Sequence, residues 1–163
     1  MAFGTGLHPT TRLCLRAAQA FLAETPGARV LDVGAGSGIL SIAAARLGAR
    51  SVEALEIDPV AAAVCAENVA RNGVGDIVRV RHGSLEGAPE EPLDLLLANI
   101  TIRTLLELEP LLAQQLRPGG RAVLSGVLAE RAQELLDVLL SSGWTHERTD
   151  QEQDWVAVVV RRG

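Results

Sequence analysis

Residues 30–40 read VLDVGAGSGIL, and the fold turns on how that stretch is understood. An apolar run, carrying Asp32, passes into Gly34-Ala35-Gly36-Ser37-Gly38 and then directly into the helical pattern SGILSIAAARLG of residues 37–48. A short apolar run closed by glycines reads as a buried strand. Glycines at the turn let backbone approach a ligand closely, and a helix then leads away from it. A tight glycine-rich turn that holds nothing is the competing reading.

Outward from this stretch the chain alternates strand and helix. Residues 9–23 show helical spacing with Leu13, Ala17 and Phe21 on one face, and Pro26-Gly27 end that helix. After the glycine loop come a strand SVEALEI (51–57), a helix PVAAAVCAENVARNG (59–73), and strands in DIVRVRHG (76–83) and LDLLLAN (93–99). A helix is predicted from Ile102 to Leu116, then Pro118-Gly119-Gly120, a strand RAVLSGVL (121–128) and a helix over Glu130–Ser141. GWTHERTD and DWVAVVVRR read as two closing strands joined by a polar turn, able to place an antiparallel strand at the sheet edge. Such alternation predicts an α/β domain with a mostly parallel sheet, whose ligands bind outside the carboxyl ends of the strands.

Composition narrows the chemistry. The chain has 163 residues, enough for one domain with a real core, and 48% are hydrophobic against 21% charged. All 15 basic residues are Arg, which excludes lysine Schiff-base chemistry and a Walker-type phosphate loop. A net charge of −5 with 2% aromatics disfavours a nucleic-acid surface. No apolar run is long enough for a membrane span, and no basic-then-apolar leader opens the chain, so the cytoplasm is expected. Cys14 and Cys65 sit in helical stretches and read as small core residues. His8, His82 and His146 are too scattered for a metal site, and none is expected. His8 itself reads as an exposed loop residue.

Two acids flank the second strand's end. Glu56 lies 22 residues beyond Gly34, where a carboxylate can accept hydrogen bonds from both ribose hydroxyls, or else is a solvated strand-end acid. Asp58 before Pro59 fits a helix N-cap with proline at the first helical position. Asn99 ends the fourth strand, either as a turn residue or as an uncharged group facing a substrate amine. A carboxylate at that place would hold an ammonium in its charged, non-nucleophilic form.

The dinucleotide fingerprint requires glycine at its sixth position, where this loop has Ile39. Gly-x-Gly-x-Gly with Asp32 two residues upstream instead resembles the first motif of class I S-adenosylmethionine-dependent methyltransferases. AFGTGLHPTT, LDVGAGSGIL, EIDP, NVARNGV, GSLE, ANI, RPGG and LSGVL, in that order, make the whole chain similar to the catalytic domain of the ribosomal protein L-eleven methyltransferase family. The resemblance implies a Rossmann-like fold with a mostly parallel seven-stranded sheet, a terminal antiparallel strand and helices on both faces. It implies S-adenosylmethionine as cofactor, held by Thr11, Gly34, Gly36, Gly38, Glu56, Ser84, Leu85 and Asn99, with Ser84 on the adenine edge and Leu85 on its face. A plain turn at Ser84-Leu85 is the alternative.

In that family the opening segment, residues 1–11 here, folds over the methionine end of the cofactor. Phe3 would shield it, with Thr5 between the hinge glycines Gly4 and Gly6; Phe3, Thr5 and Asn99 are the expected catalytic residues. Thr10 and Thr11 could instead simply cap the following helix. The implied reaction is methyl transfer to lysine side-chain and N-terminal amines of ribosomal protein L-eleven. Methylation of another substrate, or cofactor binding without catalysis, are the alternatives. The sequence departs from the family pattern at Glu56, where Asp is usual, and at Thr101, where an apolar residue is usual. The family's separate N-terminal recognition domain is expected to be absent.

Overall fold

A computed structural model describes residues 7–87 and 89–163. Seven strands and five α-helices follow one another as α1 (Pro9–Glu24), β1 (Arg29–Val33), α2 (Ile39–Arg46), β2 (Ser51–Glu56), α3 (Pro59–Arg71), β3 (Val78–His82), β4 (Leu93–Asn99), α4 (Ile102–Gln115), β5 (Leu116–Leu128), α5 (Ala132–Ser141), β6 (Thr145–Glu152) and β7 (Trp155–Arg161). One sheet holds all the strands in the order β3-β2-β1-β4-β5-β7-β6. The pairs β1·β2, β1·β4, β2·β3 and β4·β5 are parallel, while β7 runs antiparallel to both β5 and β6.

The sheet is covered on both faces, which is why β4 reads as a nearly continuous apolar run. Leu95 and Leu97 face one cluster, with Leu13, Ala17 and Leu22 of α1, Leu40 and Ala44 of α2 and Cys65 and Val69 of α3. Leu96 and Ala98 face the other, with Leu105 and Leu112 of α4 and Leu135 and Leu139 of α5. Each such leucine, removed from water, stabilises the fold by about 1.5–3 kcal/mol. Both cysteines lie in the first cluster, as expected of small core residues. Burial pushes the Cys14 thiol up to about 12 and the Cys65 thiol to about 11.

Two local features differ from the sequence-based expectation, and a third adds to it. Leu116 does not end α4 but begins β5, pairing with Leu93. The ladder then skips to Leu95–Arg121, so that Pro118-Gly119-Gly120 lie inside an irregular strand. Antiparallel β7 sits one place in from the edge, because the charged strand β6 pairs on its outer side. Such a charged edge discourages pairing with other chains. His8 is exposed and precedes α1, as the sequence predicts, and it also caps that helix, its Nδ1 accepting from the Thr10 amide at 3.2 Å.

The sheet order reverses between β1 and β4. Strands β2 and β3 extend to one side and β5 to the other, so the loops leaving β1 and β4 part and open a crevice. No helix of the described residues is long and apolar enough to cross a membrane.

Candidate active site

The crevice is built first by the β1–α2 loop. Gly34, Gly36 and Gly38 have φ of 71°, 56° and 88°, a region that side chains rarely adopt. They are packed differently. A Cβ on Gly34 would come within 2.5 Å of Ile100 Cγ2, and one on Gly38 within 2.8 Å of Cys65 Sγ. A Cβ on Gly36 would meet none of the described residues within 4 Å. The outer glycines therefore seat the loop against Ile100 and α3, while the middle one is held against neither.

Glu56, at the end of β2, is only 8% exposed and is held from two sides. Its Oε1 accepts from the Gly36 amide at 2.8 Å and its Oε2 from the Asp58 amide at 3.0 Å. A carboxylate has about four acceptor sites, so each oxygen keeps one for a further donor. Asp58 caps α3 as the sequence predicts, accepting from Val60 N at 3.1 Å with Pro59 at the first helical position. Beneath the loop, Asp32 is fully buried and accepts from Ser41 Oγ at 2.7 Å. Burial pushes its carboxyl up to about 6, against the opposing pull of the Ser41 hydrogen bonds.

The other wall comes from β4, β5 and α1. Asn99 ends β4 half-buried, its Nδ2 reaching Thr11 Oγ1 on the first turn of α1 at 3.5 Å. Ile100 is threaded between two glycines: its side chain meets Gly34, and its carbonyl fills the space where a Gly126 Cβ would stand. The Ile100 amide also donates to Ser125 O at 3.1 Å. Ser84 is half-buried after β3. Leu85, by contrast, is 7% exposed and packed in the core cluster of α4, so little of its side chain can face a ligand.

Eight candidate site residues from the sequence, Thr11, Gly34, Gly36, Gly38, Glu56, Ser84, Leu85 and Asn99, thus fall in the loops at the carboxyl ends of β1 to β4 or facing them. Phe3 and Thr5, with Gly4 and Gly6, lie outside the described residues. Sequence reasoning missed three contributors. Ile57, 70% exposed beside Glu56, presents an apolar side chain whose signal was its place right after a strand-end acid. Gly126 carries a φ of 88° where the β5–β7 register shifts. Thr101 caps α4, its Oγ1 accepting from Thr104 N at 3.3 Å. That cap gives a reason for a hydroxyl where the resemblance led one to expect an apolar residue.

A concavity of about 620 Å³ lies on the outer side of α2 among residues such as Ile39, Ile42, Leu47 and Asn72. No carboxylate lines it, and of the glycine loop only Ser37 takes part. Among the described residues no group of three or more His, Cys, Asp or Glu could hold a metal ion.

A family-wide sequence model described as ribosomal protein L11 methyltransferase (PrmA) matches residues 1–163. A ribosomal protein L11 methyltransferase of an Exiguobacterium species is 44% identical over 163 residues, covering 100% of this chain and 52% of that protein. The namesake from Geobacillus kaustophilus is 47% identical over 160 residues, 98% of this chain and 51% of its own length. A crystal structure of a ribosomal protein L11 methylase from Lactobacillus delbrueckii subsp. bulgaricus superposes with a TM-score of 0.87 at 32% identity, covering 97% of this chain and 81% of that one. The chain spans about half the length of the curated relatives it matches. With its whole length matched, and its fold shared with a solved relative, the chain belongs to the ribosomal protein L11 methyltransferase family.

Proposed function

We propose that this chain binds S-adenosylmethionine in the crevice between β1 and β4 and transfers its methyl group to protein amines, namely lysine side chains and the N-terminal amine of ribosomal protein L11. The observation that carries the reading is the convergence of Glu56, Asn99 and Thr11 around a glycine loop whose middle residue has no described residue within 4 Å of where its Cβ would stand. Residues 1–163 act as one domain, with 1–11 as the flap over the cofactor, working in the cytoplasm.

The donor set suits this cofactor. Gly36 leaves room for close backbone approach, Glu56 keeps an acceptor site on each oxygen for a ribose diol, and Ile57 offers an apolar surface beside it. When bound, S-adenosylmethionine supplies an activated methyl group on a positively charged sulfur. The chain contributes position and surroundings. Gly34, Gly36 and Gly38 shape the cradle, Ser84 and Leu85 border the base end, and Thr11 and Asn99 border the methionine end, with Phe3 and Thr5 excluding water.

A lysine amine must shed its proton before it can attack, at about 4.6 kcal/mol near neutral pH. Asn99 is suited to receive the neutral amine, because an uncharged acceptor orients the nitrogen without favouring its protonated form. Solvent takes the proton: the Cys14 and Cys65 thiols are pushed too high to serve as bases at neutral pH. Transfer is then chiefly a matter of alignment.

The test is incubation with radiolabelled S-adenosylmethionine and ribosomal protein L11, with labelled residues mapped by mass spectrometry. Label on lysine side chains or the N-terminal amine of the added protein is the expected result. The chain has no lysine of its own to confuse the assignment. Because the chain is about half the length of its relatives, binding without transfer would assign it the cofactor site alone. Failure to bind at all would overturn the reading.

A further inference from the structure

The first turn of α1 is moored to the far end of the chain. Glu152 closes β6, and across the turn Gln153-Asp154 it pairs with Trp155 of β7. Its Oε2 accepts from Arg12 Nε at 2.7 Å and also pairs with Arg12 Nη2, while its Oε1 lies 3.3 Å from Arg16 Nη1. Arg12 Nη1 donates in turn to the Leu7 carbonyl, tying the segment just before the helix. On the other side of the turn, Trp155 meets the His8 ring edge-on, with centroids 4.9 Å apart and planes at 70°. His8 is itself the cap of α1. Both residues flanking the hairpin turn therefore grip the start of one helix, Glu152 from 140 residues away.

We propose that Glu152, acting through Arg12 and Arg16, is a positioning residue for methyl transfer: it fixes the rotation of the first turn of α1 and so holds Thr11 against Asn99. The proposal rests on the function given above for its catalytic half. Neighbouring helix residues point about 100° apart, so locking Arg12 in direction locks Thr11 as well. The Arg16 side chain is 65% exposed and the Arg12 side chain 35%. Pairs so open to solvent stabilise a fold little. What two guanidinium groups on one carboxylate add is a defined geometry. The hydrogen bond from Arg12 holds the Glu152 carboxyl below its usual range, so the mooring is intact at neutral pH and is lost only as acid protonates it.

The experiment compares the full chain with Glu152→Gln, Arg12→Glu and the charge swap Arg12→Glu/Glu152→Arg. Three readouts are taken: amide hydrogen exchange, S-adenosylhomocysteine binding, and kcat and KM with ribosomal protein L11. The amides of Thr11 and Arg12 both donate to the His8 carbonyl and report the first turn directly. Each single variant should speed exchange at residues 9–13 and leave the central strands unchanged. Each should also lower kcat roughly ten- to a hundredfold with little change in cofactor affinity, the scale expected of a slight misalignment. The swap should restore both slow exchange and kcat. Unchanged exchange, faster exchange with unchanged kcat, or a swap that restores neither would overturn the proposal. A wild-type chain that binds the cofactor but transfers no methyl would remove the transfer part of the functional reading and the catalytic half of this proposal with it, while exchange would still decide whether the mooring exists.

Discussion

The two walls of the crevice are made in opposite ways. The wall of β1, α2 and β2 comes from consecutive chain: a strand, three glycines, a helix, and an acid 22 residues further on. The facing wall is assembled from distant pieces. Thr11 meets Asn99 across 88 residues, Arg12 meets Glu152 across 140, and Ile100 rests on Gly34 of the β1–α2 loop and on Gly126 within β5. The first wall explains how a nucleoside can be held, and the second decides which group can reach its reactive end. A local motif is enough for binding, whereas alignment draws on the whole fold.

The largest expected effect separates the walls by substitution at glycine. Gly126→Ala puts a methyl group onto the Ile100 carbonyl at a φ of 88°. Left-handed strain of about 1–2 kcal/mol and overpacking of about 1–3 kcal/mol together should cost about 2–5 kcal/mol in chemical unfolding. Gly36→Ala has open space around it, so only the strain of about 1–2 kcal/mol is expected, while cofactor binding suffers through the occupied cradle. Equal stability losses at the two positions would erase the distinction.

Next in size is a pH effect beneath the motif wall. Asp32 has its carboxyl raised from 3.8 to about 6 by burial. A raised carboxyl binds its proton more tightly folded than unfolded, so its contribution to stability is full below pH 4 and is lost as pH rises through about 6. Asp32→Asn stays neutral and keeps an acceptor for Ser41. Between pH 4 and 7, unfolding free energies of wild type and variant should diverge by about 2–2.5 kcal/mol in favour of the variant. Parallel curves would mean that Asp32 is not held as described.

The smallest effect lies at the hairpin behind the assembled wall. Gln153 has a φ of 54°, the one positive value found at a non-glycine among the described residues. Glycine adopts this conformation without penalty, so Gln153→Gly should raise stability by about 0.5–1 kcal/mol, the left-handed strain relieved less the added freedom of the unfolded chain. A loss of stability would show that the turn is not strained.

The same division explains what could be read in advance. Order and type of the elements followed from apolar runs and glycine stops, and Glu56, Asp58 and the glycine loop from spacing alone. Asn99 was marked by its place at the end of the fourth strand, whereas the resemblance carried Thr11, because nothing local marks a residue that meets its partner only after the sheet has formed. The start of β5 at Leu116 was hidden by Pro118-Gly119-Gly120, which suggest a loop until the pairing of Leu93 with Leu116 is seen. The edge position of β6 was hidden because order within a sheet leaves no periodicity. His8 was hidden as a cap because its partner, the Thr10 amide, leaves no sequence signal of its own.

The central claim is that the carboxyl ends of β1, β2 and β4 hold a sulfonium nucleoside, with Glu56 on its ribose. Calorimetric titration of S-adenosylmethionine into wild type and Glu56→Ala tests it most directly. The account predicts saturable binding by wild type and a loss of about 1.5–3 kcal/mol in the variant, the range for hydrogen bonds to a charged group. Equal affinity in the two proteins, or no binding to either, would contradict it.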